Sequence, residues 1–116
     1  MPRDEELPII RALYDFMLWM VPKIAKFPRD QRFVLGERME RQLHAILENL
    51  IRARYTMARR SILEQVNLDL EILRFQIRLA KDLRCLPVQG YGLASKHVTD
   101  IGRQVGHWAR FVAVTI

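Results

Sequence analysis

Cysteine is almost absent: Cys85 is the only one in 116 residues. A lone thiol excludes an intramolecular disulfide and a zinc site built from several cysteines. Glycine and proline are sparse, five of each, which excludes collagen-like repeats. Half of the residues are hydrophobic, too many for a disordered polar tract. Long apolar runs are also missing. The longest uncharged stretch in the first helical segment, Phe16 to Pro22, falls far short of the ~20 residues that cross a bilayer. The acidic start, Asp4-Glu5-Glu6, has the wrong charge for a secretory leader. The expectation is a soluble, cytoplasmic chain with no membrane partner, forming one domain over residues 1–116. Surface scaling gives a folded area of roughly 6,600 Å² against roughly 20,000 Å² unfolded, enough burial for one core without staples.

Positive charge is the compositional excess. Nineteen Lys and Arg against thirteen Asp and Glu give +6 and a pI near 10.1. Lysine occurs only at Lys23, Lys26, Lys81 and Lys96; the rest is arginine. The guanidinium fork pairs bidentately with phosphate or carboxylate, so nucleic acid or an acidic partner is the natural counterpart.

Apolar spacing at period 3.6 marks four helices. The first runs from about Pro8 to Ala25, with Ile9, Leu13, Phe16, Met20 and Ile24 on one face; Pro22 is expected to kink its last turn or end it early. The segment Lys26-Phe27-Pro28-Arg29-Asp30 breaks the helix, and Asp30 is the expected N-cap of the second. That helix runs from about Gln31 to Tyr55, with Met39, Leu43, Ile46, Leu47, Leu50 and Ile51 inward and Glu37–Arg41 and Glu48–Arg52 pairs outward. Ser61-x-x-Glu64 has the form of a capping box, which starts the third helix near Arg60 or Ser61; it ends near Arg84 or Cys85. Pro87, Gly90 and Gly92 mark the next connection. The fourth helix runs from about Tyr91 to Val112, with Ala94, Val98, Ile101, Val105, Trp108 and Val112 inward. The expected fold is all-α, an antiparallel up-down four-helix bundle.

The third helix carries two apolar stripes. Val66, Leu70, Leu73, Ile77 and Ala80 form one. Leu68, Ile72, Phe75 and Leu79 form the other, centred about 150° away at ~100° per residue. A helix in an isolated bundle needs one buried stripe, so the second is assigned to a neighbouring subunit. A monomer with one very wide core face is the alternative.

Catalytic machinery is hard to find. No phosphate-binding glycine loop, nucleophile elbow or H-E-x-x-H is present. Glu40, His44 and Glu48 form an i,i+4,i+8 row turned away from the core stripe, which reads as a solvated face. Cys85, at a helix end, reads as a structural thiol, and His97 as a boundary residue. No catalytic residue, metal ligand or cofactor is assigned. The basic residues are more informative. Arg74, Arg78 and Lys81 share a strip of the third helix between its apolar faces, with Glu71 near enough to neutralise part of it. Lys96, Arg103, His107 and Arg110 share the outward side of the fourth. Together they read either as a surface for phosphates or as a solubilising face. No base-reading motif accompanies them, so binding directed at the backbone is the most that spacing supports. Gly102 and Gly106 form a G-x-x-x-G, read as a place of close helix–helix approach with Ala109 beside it.

Several stretches resemble a known family. They are Leu13-Tyr14-Asp15 with Leu18-Trp19; Lys26 through Phe33 (KFPRDQRF) with Leu35-Gly36-Glu37-Arg38; Asn67-Leu68 with Leu70-Glu71 and Leu73-Arg74; Arg78-Leu79-Ala80 with Asp82-Leu83; and Ile101-Gly102-Arg103 with Gly106 and Trp108. In order and in content they resemble the accessory variability determinant (Avd) proteins of diversity-generating retroelements, across nearly the whole chain. His107 departs from the family, which often has a small residue before the tryptophan. The resemblance implies protomers assembled into a pentameric barrel. It further implies a non-enzymatic partner of the element's reverse transcriptase, used when template-repeat RNA is copied into mutagenised cDNA, with nucleic acid bound on a basic surface. Arg74, Arg78 and Arg103 lie in the matching stretches and become candidate contacts for RNA or polymerase; Lys81, Lys96 and Arg110 join them from the face analysis alone. Leu68, Ile72, Phe75 and Leu79 become the candidate oligomer interface. Two alternatives stay open: the four-helix protein of ribosomal RNA intervening sequences, and a structural oligomerisation module that binds no nucleic acid.

Overall fold

A computed structural model describes residues 7–115, with side chains as far as Phe111. The acidic triplet at residues 4–6 and the Val112 side chain, both assigned above, lie outside the described residues. Helix α1 spans Pro8–Ala25, α2 Arg29–Gln31, a π-helical turn Arg32–Gly36, α3 Glu37–Arg54, α4 Arg59–Asp82 and α5 Val88–Thr115. Because α2, the π turn and α3 are continuous, the chain forms four rods, and no strand occurs among the described residues. Helix α4 packs between α3 and α5, and α1 closes the square against α3 and α5. Helices α1 and α4 therefore stand at opposite corners. No helix of the described residues is long and apolar enough to cross a membrane.

The rods hold together because each turns one stripe inward. Leu13, Phe16, Met20 and Ile24 of α1 meet Met39, Leu43, Ile46 and Leu50 of α3, with Leu63, Val66, Leu70, Leu73 and Ile77 of α4 and Ala94, Val98, Ile101 and Val105 of α5, in one buried cluster. Each large apolar side chain removed from water this way contributes roughly 1.5–3 kcal/mol. Asp69 is buried among them, its carboxylate accepting from Gln65 Nε2 (3.0 Å) and its carbonyl from Gln42 Nε2 (3.2 Å).

Several local expectations fail, each for a physical reason. Pro22 does not end α1, which continues to Ala25. The proline forfeits only its own bond to the Leu18 carbonyl, while buried Met20 and Ile24 hold the last turn in place. Asp30 is not the N-cap. Pro28 takes that place with an extended backbone, and its carbonyl accepts from the amides of Gln31 and Arg32, both at 2.9 Å. Asp30 falls in the first turn, where a carboxylate suits the helix dipole. Ile51 is exposed and Leu47 half-buried, with Ala53 buried instead. The Glu37–Arg41 pair forms at 2.8 Å, but Arg52 bonds Asn49 at 2.9 Å in place of Glu48. The capping box does not form: Ala58 precedes α4 without a side-chain cap, and Glu64 pairs with Arg60 at 3.6 Å. Helix α5 starts at Val88, three residues early, because the Pro87 carbonyl accepts the Tyr91 amide at 2.9 Å. Gly90 and Gly92 are therefore helical.

Two junctions set the rods' ends. Between α1 and α2, Phe27 is buried and Arg32 Nη1 donates to the Ala25 carbonyl at 3.2 Å, satisfying one of the open carbonyls at the α1 terminus. The π turn brings both Leu35 and Gly36 inward. Gly36 is needed there: a Cβ would lie 2.9 Å from Ile24 Cγ2. After α4, Arg84 adopts φ 63°, with Cys85 N donating to Ala80 O at 2.8 Å and Arg84 N to Lys81 O at 3.0 Å. This is a Schellman ending with arginine where glycine is usual.

The glycines supply a paired test by chemical denaturation. Gly36→Ala is expected to cost about 1–2 kcal/mol, since fully buried Ile24 has a branched carbon in the way and cannot swing aside. Gly92→Ala, with nothing within 4 Å of the added carbon, is expected to stabilise by about 0.5–1 kcal/mol through helix propensity.

Candidate nucleic-acid interface

Four of the six basic candidates line two grooves. Arg74 and Arg78 project from α4 over a groove of about 270 Å³ whose other wall is the hydroxyl row Tyr91, Ser95 and Thr99 of α5. Phe75 and Glu71 also line it. Arg74 Nη1 donates to Glu71 Oε1 at 2.9 Å. Arg78 Nε stands 4.0 Å from Asp82 Oδ2, and Lys81 Nζ takes the other oxygen of that carboxylate at 2.9 Å. The Lys81 ammonium also lies 4.8 Å from the Tyr91 ring centroid, so it marks one end of the groove. Both acids, Glu71 and Asp82, are solvent-exposed, and the three pairs they make contribute a few tenths of a kcal/mol each. A phosphate can displace them.

Arg103 and Arg110 line a second, larger groove of about 770 Å³, where the start of α1 meets the end of α5. Leu7, Pro8 and Ile9 form one side; Gln104, His107, Trp108 and Phe111 join the two arginines on the other. Among the described residues no carboxylate lines it. Arg103 Nη1 reaches Asp100 Oδ1 at 3.4 Å, outside the groove. The sequence reading grouped Arg74, Arg78 and Arg103; tertiary packing separates Arg103 from the other two. Lys96 is exposed and lines neither groove.

The two glycines of the G-x-x-x-G lie beside arginines. A Cβ on Gly102 would lie 3.1 Å from Arg74 Nη2 and 3.9 Å from Leu70 Cδ1, and one on Gly106 would lie 3.5 Å from Arg110 Nη1. Gly102 thus lets a guanidinium from α4 lie across α5, whereas at Gly106 the folded-back Arg110 would make only an ordinary van der Waals contact with a Cβ. The close helix–helix seam expected at both glycines does not form at Gly106. Tyr91, Ser95 and Thr99 were missed in the sequence, although their i,i+4,i+8 spacing continues to Gly102 as a polar stripe.

Other candidates fall out of the site. Glu40 is half-buried, and His44 and Glu48 are exposed; no group of three acidic, histidine or cysteine side chains among the described residues is placed to hold a metal. His97 stacks on Phe16, with centroids 5.3 Å apart, and lies 5.9 Å from Trp19, so it covers the rim of the core.

A family model described as bAvd-like matches residues 8–112, all four rods. The chain belongs to the bAvd-like family. No curated protein gives a match. In this bAvd-like chain the matching stretches have identifiable physical work. The Lys26–Arg38 stretch makes the α1–α3 junction through Phe27, Arg32 and Gly36. The Leu70–Arg74 and Ile101–Arg103 stretches make the contact of Arg74 with Gly102.

Cys85, after the end of α4, has a shifted acidity. Burial pushes its thiol pKa up, and the Asp30 carboxylate adds to the rise. It is expected to stay protonated and alkylate slowly near neutral pH, with its rate rising at higher pH than that of an unstructured cysteine peptide. Asp30→Asn is expected to lower that midpoint only slightly, since burial is the larger cause. The linkage sign follows: the thiol's contribution to stability is present below its unfolded pKa and is lost as pH rises through the folded one. Iodoacetamide labelling against pH is the measurement.

Proposed function

We propose that this chain is a non-enzymatic accessory protein of a diversity-generating retroelement. In this reading it assembles as a ring of five copies. Its basic surface engages the element's reverse transcriptase and template-repeat RNA during mutagenic cDNA synthesis. The match to the bAvd-like family over residues 8–112 carries the reading.

Two physical features support it. The second stripe of α4 remains uncovered in the protomer, with Leu68 55%, Ile72 40%, Phe75 59% and Leu79 47% exposed. On the opposite corner, α1 exposes Tyr14 and Leu18. Two different apolar faces on opposite sides favour head-to-tail contact, which closes into a ring when the rotation permits. The number five comes from the family. Beside the α4 stripe, Arg74 and Arg78 stand at the rim of a hydroxyl-lined groove, an arrangement suited to phosphate oxygens or to carboxylates of the polymerase.

Light scattering is expected to give a mass near five times the 13.7 kDa chain. Phe75→Glu is expected to shift it toward the single-chain mass, because an unpaired charge would enter a desolvated contact. A wild-type protein running as a 13.7 kDa monomer overturns the assembly.

Arg74→Ala with Arg78→Ala is expected to weaken RNA binding across sequences and to flatten the log–log salt dependence by roughly 0.7 per lost single-strand contact. Circular dichroism should stay unchanged. If the double variant keeps RNA affinity but loses co-purification with the reverse transcriptase, the two arginines face the polymerase. If it keeps both, they leave the site.

A further inference from the structure

We propose that the groove between the start of α1 and the end of α5 is a stacking site for one unpaired nucleotide, which rests on the RNA-binding reading above. The rings of His107, Trp108 and Phe111 hold the base, and Arg103 and Arg110 hold the phosphates on either side of it. Trp108 and Phe111 lie outside the basic strips that charge patterning singled out, whereas His107 belongs to one of them.

The argument starts from spacing. Arg103, His107 and Phe111 follow at four-residue steps, with Arg110 three residues after His107, so cations and rings share one side of α5. Arg103 and Arg110 are about 10 Å apart along the helix axis, far enough to serve two phosphates with a base between them. Trp108 is half-buried and packs on the core, with the Arg59 guanidinium 5.8 Å from its ring centroid. It is a fixed ring; Phe111 and His107 are exposed. Gln104 adds an amide that both donates and accepts, as a base edge requires. The cavity, about 770 Å³, is within the range of small-ligand sites.

Charge decides between occupants. An apolar side chain from a protein would cover the rings but desolvate two guanidiniums that no carboxylate among the described lining residues neutralises, Arg103 meeting only the exposed Asp100 outside the groove. A single strand of RNA brings a flat π-face and flanking phosphates in one ligand, the combination that aromatic-and-arginine surfaces bind.

Tryptophan fluorescence with two probes of equal length, a single-stranded oligoadenylate and an abasic oligoribonucleotide, tests this directly. Oligoadenylate is expected to quench the emission and to bind roughly tenfold tighter than the abasic strand. Trp108→Phe, which leaves Trp19 as the reporter, should abolish the quenching. Phe111→Ala should cost roughly tenfold in oligoadenylate affinity with the salt slope unchanged, and Phe111→Tyr should restore it. Equal affinity for the two strands overturns the stacking site while leaving RNA binding intact. So does quenching that survives Trp108→Phe, or a Phe111→Ala variant that loses only association with the reverse transcriptase. Absence of binding to either strand overturns the RNA-binding reading and the stacking site together.

Discussion

Helix α4 carries more apolar surface than one bundle can cover. Its inward stripe, from Leu63 to Ile77, is enclosed by α3 and α5 and anchors the core. The geometry of a helix then points Leu68, Ile72, Phe75 and Leu79 away from that core, because positions roughly 150° apart cannot share one seam. Burying four such side chains against another copy is worth roughly 1.5–3 kcal/mol each before the cost of association is subtracted. The quaternary proposal rests on this surplus, as does the placement of the cations, since Arg74 and Arg78 occupy the narrow strip between the covered and the uncovered stripe.

Cation placement also depends on the smallest residues. Gly102 leaves room for the Arg74 guanidinium across the α4–α5 seam. A glycine inside a helix costs roughly 1 kcal/mol relative to alanine. At Gly36 the return is close packing of two helices; at Gly102 it is the position of an arginine. Helix α5 thus forms a wall of both grooves, one polar and hydroxyl-lined, the other aromatic.

The arrangement shows how a chain with few exposed special features can present two chemically different surfaces. The groove containing Arg74 and Arg78 has hydroxyls and a competing carboxylate, which favours reversible, salt-sensitive contacts with an anionic backbone. The groove containing Arg103 and Arg110 has rings and, among the described residues, no carboxylate, which favours a ligand that is partly flat and partly charged. Both lie beside α5, so one ligand or partner running along that helix can meet both.

Periodicity alone was enough for the helix count, the bounds of α1 and nearly all of the inward stripes, because burial demands apolar residues at 3.6-residue spacing whatever the partner. It was enough, too, for the second stripe of α4. Local signals at helix ends were less reliable. Asp30 and Ser61 have the chemistry of caps but not the backbone position, and Pro87 initiates a helix that Gly90 and Gly92 appeared to delay, since end geometry depends on how the flanking rods are held. Nor did charge patterning separate Arg103 from Arg74 and Arg78. Their division between two grooves follows from which helix stands opposite each face of α5: α4 faces Gly102, whereas the start of α1 faces His107 and Trp108. Sequence spacing specifies the face of a helix on which a side chain lies; only the packing of distant segments specifies what stands across from it.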